Sequence, residues 1–204
     1  MGMKESFIRN YKIKESLGSN VCPCGPGSVG ESVIKAGTIN FINMLIEKYN
    51  ITSINDCPSG LYENWVHNLN LPSRGIKYIG YDINNIVVER NKYNYPNIEF
   101  YEFDNTKEVL PKCDLIICRD CLFHFPNEFV MKALKNFKDS KSTYLLATQQ
   151  RWITENKEMS QGELNDELGY KPLNLEIEPF NLGKSLEFHD EKTWNRDMSL
   201  WKIN

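Results

Sequence analysis

The sequence predicts one α/β domain in which a parallel β-sheet carries helices on both faces. Three observations predict it. Strand-like and helix-like apolar patterns alternate from residue 29 to about residue 148. Cys113–Arg119 (CDLIICR) is an apolar run bounded by polar residues, as expected of a strand buried on both faces. Asp56, Asp82 and Asp104 each close a strand-like segment, which lines acidic groups along one end of the sheet.

The elements follow in order. Val29–Tyr49 carries Val33, Ile34, Phe41, Ile42, Leu45 and Ile46 at helical spacing, and Ser28 with Glu31 stands at the spacing of a capping box. Ile51–Asp56 reads as a short strand, followed by a turn and a helix to about Leu69. Ile76–Asp82 is a strand, Asn84–Tyr93 a helix and Ile98–Asp104 a strand. Cys113–Arg119 is the fourth strand, Asn127–Phe137 a helix and Thr143–Thr148 the fifth strand. Beyond Gln149 the rhythm breaks: residues 150–184 are polar, carry Pro172 and Pro179 and show little periodicity. Two further strand-like segments, Ser185–His189 and Met198–Ile203, end the chain.

The 204 residues suffice for one domain with a substantial core and are too few for two ordinary ones. With 41% hydrophobic and 25% charged residues the balance is that of a soluble globular protein. The net charge of −3 disfavours duplex DNA or RNA as a partner, since non-specific nucleic-acid binders carry a basic surplus. No apolar run approaches the roughly 20 residues that span a bilayer, and no secretory core follows Met1. The expectation is a cytoplasmic protein with reduced thiols.

Two glycine-containing stretches compete for a nucleotide. Gly25-Pro26-Gly27-Ser28-Val29-Gly30 fits G-x-G-x-x-G, but no strand precedes it, and that context gives the pattern its meaning. Asp56-Cys57-Pro58-Ser59-Gly60 fits poorly yet follows a strand. Ligands of open parallel sheets bind outside the carboxyl ends of the strands, near the switch point of strand order. There stand Asp56 with Pro58 and Gly60, Asp82, Asp104, and Arg119-Asp120 with His124 a few residues on. A carboxylate closing the second strand can accept from both hydroxyls of a ribose, and Asp104 is placed to accept from an exocyclic amine. The set reads as a nucleoside site.

INDCPSG, YIGYDI, FYEFD and DLIICRDCLFHF, in that order, resemble the successive motifs of class I S-adenosylmethionine (SAM)-dependent methyltransferases. YKPLNLEIEPFNL (Tyr170–Leu182) and MSLWKI (Met198–Ile203) are similar to the C-terminal signature of a bacterial and viral subfamily found among glycan-biosynthesis genes. The resemblance covers roughly residues 15–204. It implies a Rossmann-like fold, a seven-stranded sheet whose last strand is antiparallel, and methyl transfer from SAM to a sugar hydroxyl of a glycan or nucleotide-sugar precursor, releasing S-adenosylhomocysteine (SAH).

Carried over to this chain, the resemblance gives Asp56, Pro58 and Gly60 the turn beside the cofactor's methionine part. Asp82 holds the ribose, Asp104 lies by the adenine, and Ile83 and Arg119 join the cofactor-binding set. Gly25, Gly27 and Ser28 form a flap at the end of an N-terminal arm, residues 1–28. The subfamily has an acidic residue directly after the first-motif glycine; this chain has Leu61, which makes Glu63 the candidate for that role.

His124, assisted by Asp120, is the candidate base, because a hydroxyl acceptor must lose a proton and histidine has the right unperturbed pKa. Arg151, Trp152, Lys171 and Asn174, in the irregular segment, are the candidate acceptor contacts for a small molecule or glycan. No metal is expected: Cys22-x-Cys24 and Cys118-x-x-Cys121 lack the paired spacing of a structural zinc site. Transfer to a nitrogen or another small-metabolite atom, and a non-catalytic SAM-binding module, stand as alternatives. The sequence does not fix the oligomeric state.

Overall fold

The structure is a computed structural model that describes residues 3–17, 33, 37–159, 169–192 and 195–204. Its strands are β1 (Ser53–Asp56), β2 (Lys77–Asp82), β3 (Glu99–Glu102), β4 (Leu115–Cys118), β5 (Tyr144–Gln149), β6 (Glu187–Glu191) and β7 (Arg196–Lys202). The helices are α1 (Met3–Ser16), α2 (Thr38–Lys48), α3 (Asn85–Asn94) and α4 (Asn127–Asp139).

The strands form one seven-stranded sheet in the order β3-β2-β1-β4-β5-β7-β6. β1 to β5 pair in parallel, and β7 pairs antiparallel with both β5 and β6. Strand order reverses between β1 and β4, so the turns that follow these two strands flank the crevice where such sheets bind ligands.

Side-chain alternation along β4 divides the core. Leu115 and Ile117 face one side, with Phe41, Ile42, Leu45 and Ile46 of α2. Ile116 and Cys118 face the other, with Val130, Ala133, Leu134 and Phe137 of α4. All four residues of β4 are buried, as the continuous apolar run predicts. Leu173, Leu175 and Phe180 of the irregular segment complete the α4 face beside Trp201.

Three sequence expectations are corrected. The helix expected up to Leu69 is two 3₁₀ turns, Tyr62–Asn64 and Val66–Leu69. Trp65 breaks the helix between them, with φ −156°. The helix expected from Val29 is described only at Val33 and over α2, which starts after Gly37 at φ +77°, a left-handed conformation suited to glycine. The N-terminal arm holds an unforeseen helix, α1. The capping residues Ser28 and Glu31 and the flap residues Gly25 and Gly27 lie outside the described residues. Among the described residues no helix is long and apolar enough to cross a membrane.

Candidate active site

β1 delivers Asp56 to the switch point, in register with Gly80 of β2 and Ile117 of β4. Asp56 is wholly buried. Its Oδ2 accepts from the Tyr78 hydroxyl at 2.8 Å, and among the described residues its Oδ1 has no hydrogen-bond partner. Burial pushes its pKa up to about 7, against the pull of the Tyr78 hydrogen bond, and the nearby Asp82 charge adds to the rise.

The turn after Asp56 runs through a cis Cys57–Pro58 bond to Gly60 at φ +54°. This left-handed glycine aims its N–H at Asp82 Oδ2, 3.0 Å away. Asp82 Oδ1 accepts from Asn84 N at 2.9 Å. Asp82 thus ties the β1 turn to the start of α3, where Asn84 caps the helix by accepting from Ile86 N. Burial raises Asp82 to about 6, opposed by these two backbone N–H groups. Each of its oxygens retains a lone pair. Asn91 of α3 braces the turn from below, donating to Gly60 O at 2.7 Å and accepting from Tyr62 N at 3.0 Å. Ile83 is half-buried beside Asp82.

Asp104 is engaged locally. Its Oδ1 accepts from the N–H and hydroxyl of Thr106, and its Oδ2 pairs with Lys107 at 2.8 Å. Burial alone would raise its pKa, but these partners hold it below the usual carboxylate range. Glu63 pairs with Arg90 of α3 at 2.9 Å. Leu61 is buried with Tyr11 of α1 and Val87 of α3.

Past β4 the chain forms a closed ring of four charges. Arg119 reaches Asp120 at 2.9 Å and both oxygens of Glu191 at 3.1 and 3.2 Å. Arg196 completes it, with Nη1 on Asp120 Oδ1 at 2.8 Å and Nε on Glu191 Oε2 at 2.6 Å. Asp120 sits on left-handed backbone, φ +54°, which aspartate tolerates better than most residues. Both of its carboxylate oxygens are held by arginines, and His124 does not hydrogen-bond to it. His124 Nδ1 instead lies 2.7 Å from Gly169 O. A carbonyl only accepts, so Nδ1 carries the proton and the neutral ring keeps its lone pair on Nε2. Burial lowers the His124 pKa below its ordinary value, opposed by the Gly169 carbonyl and the Asp120 charge. The His124 ring is thus oriented by a backbone carbonyl, while Asp120 acts on it through its nearby charge.

The acceptor-side residues divide. Lys171 is buried, with its ammonium on Asn127 Oδ1 and Lys157 O. Asn174 donates to Ile153 O and accepts from Glu176 N, stapling its own segment. These contacts engage both side chains within the protein. Arg151 stacks on Phe188 at 3.3 Å, and Trp152 is exposed while donating to Asn195 O. Tyr170, also exposed, meets Phe123 edge-on at 5.1 Å. Phe7 of α1 contacts the rings of His124 and Phe125, which brings the N-terminal helix against the candidate base.

Sequence reasoning missed Tyr78, Asn91, Gly169, Glu191 and Arg196. Asn91 alone left a signal, as a polar residue three and four positions after the buried Val88 and Val87.

Comparison with solved structures decides the fold. A magnesium protoporphyrin IX methyltransferase from Synechocystis PCC 6803 with bound SAH aligns at TM-score 0.57 and 14% identity, over 81% of this chain and 82% of that one. Human N-acetylserotonin methyltransferase in complex with SAM aligns at TM-score 0.57 and 16% identity, over 98% of this chain and 57% of that one. This is the Rossmann-like methyltransferase fold. The methyltransferase domain of a bacterial Hen1 protein shares it, at TM-score 0.56 and 10% identity over 82% of this chain and 97% of that domain. No family model matches the sequence, and no curated protein sequence does. In the methyltransferase fold the β1 turn, Asp82 and the segment after β4 share the carboxyl end of the sheet, as the residue-level geometry has them.

Proposed function

We propose that the protein is a SAM-dependent methyltransferase acting on a hydroxyl of a small-molecule or glycan acceptor. The observation that carries this reading is Asp82: a buried carboxylate at the carboxyl end of β2 that fixes the Gly60 turn and retains one lone pair on each oxygen for a ribose diol. The residues fit the cofactor at a second point, because the unpartnered Oδ1 of the wholly buried Asp56 suits an ammonium group.

Bound SAM supplies a methyl group activated by a sulfonium centre. Asp56, Pro58 and Gly60 would hold its methionine part, Asp82 with Ile83 its ribose, and Asp104 would border the adenine with backbone rather than with a free carboxylate. In-line displacement needs the acceptor oxygen aligned and deprotonated. His124, oriented through Nδ1 by Gly169, presents Nε2 to take the hydroxyl proton as the oxygen attacks. Arg119 and Arg196 fix Asp120 as a hydrogen-bond acceptor rather than a base. Trp152 and Tyr170 offer exposed aromatic faces that suit a sugar ring. The C-terminal signature described above supports a glycan or nucleotide-sugar acceptor.

Titration calorimetry with SAH tests the reading. Asp82→Ala is expected to weaken binding at least about a hundredfold, since it removes two charge-assisted contacts. Wild-type affinity in that variant, with its fold intact by circular dichroism, would overturn it.

A further inference from the structure

Asp56 has an arrangement that a structural carboxylate would not need. It is wholly buried, one oxygen is held and the other is left without a partner. A buried group with an open hydrogen-bonding position is costly unless a ligand fills it. Among the described residues, three stretches supply the titratable groups around it. β2 contributes the Tyr78 hydroxyl and the Asp82 carboxylate, β4 and its end contribute Cys118 and Arg119, and the following turn contributes Cys57 and Tyr62. Arg119, the one cation in this set, is itself tied to Asp120 and Glu191. Among the described residues Arg119 therefore acts on Asp56 through its nearby charge, and no cation hydrogen-bonds its Oδ1.

We propose that Tyr78 is a positioning residue that presents Asp56 to a cationic ligand group, and that filling the site drives a proton off Asp56 into solvent. The inference rests on the methyltransferase reading, with the ammonium of the cofactor's methionine part as that cation. The proton balance is simple: the carboxyl O–H bond breaks, its proton passes to buffer, and the carboxylate left behind pairs with the ammonium. Tyr78 acts on this step because its hydroxyl can only stabilise the ionised form from the Oδ2 side, leaving Oδ1 open. The direction of the linkage follows from burial. In the free protein Asp56 titrates near pH 7, so below that pH the ligand must expel a proton to bind, and above it the site is already charged. Asp82, raised to about 6, adds a second loss at lower pH.

The test is SAH binding to the full chain by calorimetry from pH 5.5 to 8.5, repeated in buffers of different ionisation enthalpy. Wild-type affinity is expected to level off above pH 7 and to fall toward tenfold per unit below it, with proton release on binding. Tyr78→Phe keeps the ring among Tyr62 and Phe100 and removes only the hydroxyl. It is expected to move the break to higher pH, weakening binding about tenfold at pH 7 for each unit moved and converging on wild type at pH 8.5. A merely structural lesion would weaken binding equally at every pH, and that result overturns the role of Tyr78. Asp56→Asn removes the upper break, which keeps the proposal testable should Tyr78→Phe fold poorly. Tight wild-type binding with a flat profile and no proton release overturns this inference alone. No binding by wild type at any pH overturns the methyltransferase reading and this inference with it.

Discussion

His124 divides its two ring nitrogens between structure and chemistry. Nδ1 donates to Gly169 O, which fixes both the tautomer and the ring plane, and Nε2 is left with its lone pair. Burial keeps the imidazole neutral at physiological pH, the protonation state a base requires. The pH dependence follows in sign: a histidine held below its ordinary pKa loses activity as a base only as pH falls through that lowered value. His124→Ala is expected to bind SAH like wild type but to form it about 10²–10⁴ times more slowly with any hydroxyl acceptor the wild type methylates. Steady-state SAH formation checks this, and unchanged turnover places the base elsewhere. The sequence could show that a histidine follows the fourth strand. It could not show the orienting partner, because Gly169 is 45 residues away and acts through its backbone carbonyl, which carries no residue signature.

At the scale of elements, apolar spacing was informative where a helix or strand has a full buried face. β4 and α4 read directly from the sequence for that reason. Tyr62, Trp65, Val66 and Leu69 are also spaced as a helical stripe, and all four are buried, yet they form two 3₁₀ turns. The same side chains reach the same core by either backbone, so spacing does not separate the two. α1 was invisible for the opposite reason: among its described side chains Tyr11 alone is fully buried, and one anchor makes no stripe. That anchor packs with Leu61 and Val87, and its hydroxyl accepts from Arg90 at 3.4 Å. Leu61, which departs from the resembling subfamily, is thus explained as a seat for α1. Truncation of a buried aromatic costs about 3 kcal/mol, which corresponds to roughly a hundredfold loss of local protection. Tyr11→Ala is therefore expected to raise amide exchange in α1 by about that factor and to leave β4 and β5 unchanged. Uniform loss of protection across the sheet would show that α1 is part of the global folding unit instead.

Over the whole molecule, the alternating rhythm to residue 148 makes five parallel strands legible, and the resemblance implies an antiparallel last strand, whereas the insertion of β7 between β5 and β6 is seen only in the structure. What secures that insertion is electrostatic. Glu191 closes β6 and is wholly buried, yet it receives Arg119 from the end of β4, Arg196 from β7 and the Thr38 hydroxyl from α2. Burial alone would raise its pKa; the two arginines and Thr38 hold it below the usual carboxylate range. Its charge therefore persists at neutral pH and joins four elements at the end of the sheet that carries the candidate site. Removing one partner of such a network strands the others in the interior, which costs about 3–5 kcal/mol, whereas most surface substitutions change stability by no more than about 0.5 kcal/mol. Glu191→Ala is expected to fall in the first range by urea denaturation, because it removes from the interior the carboxylate that both Arg119 and Arg196 engage. The same variant should lose turnover more than SAH affinity, since Asp120 lies in the ring while Asp82 and the Gly60 turn are held by separate contacts. A stability within about 0.5 kcal/mol of wild type would mean that apolar packing of Met198, Leu200 and Trp201 suffices to seat β7, and that the ring serves the site alone.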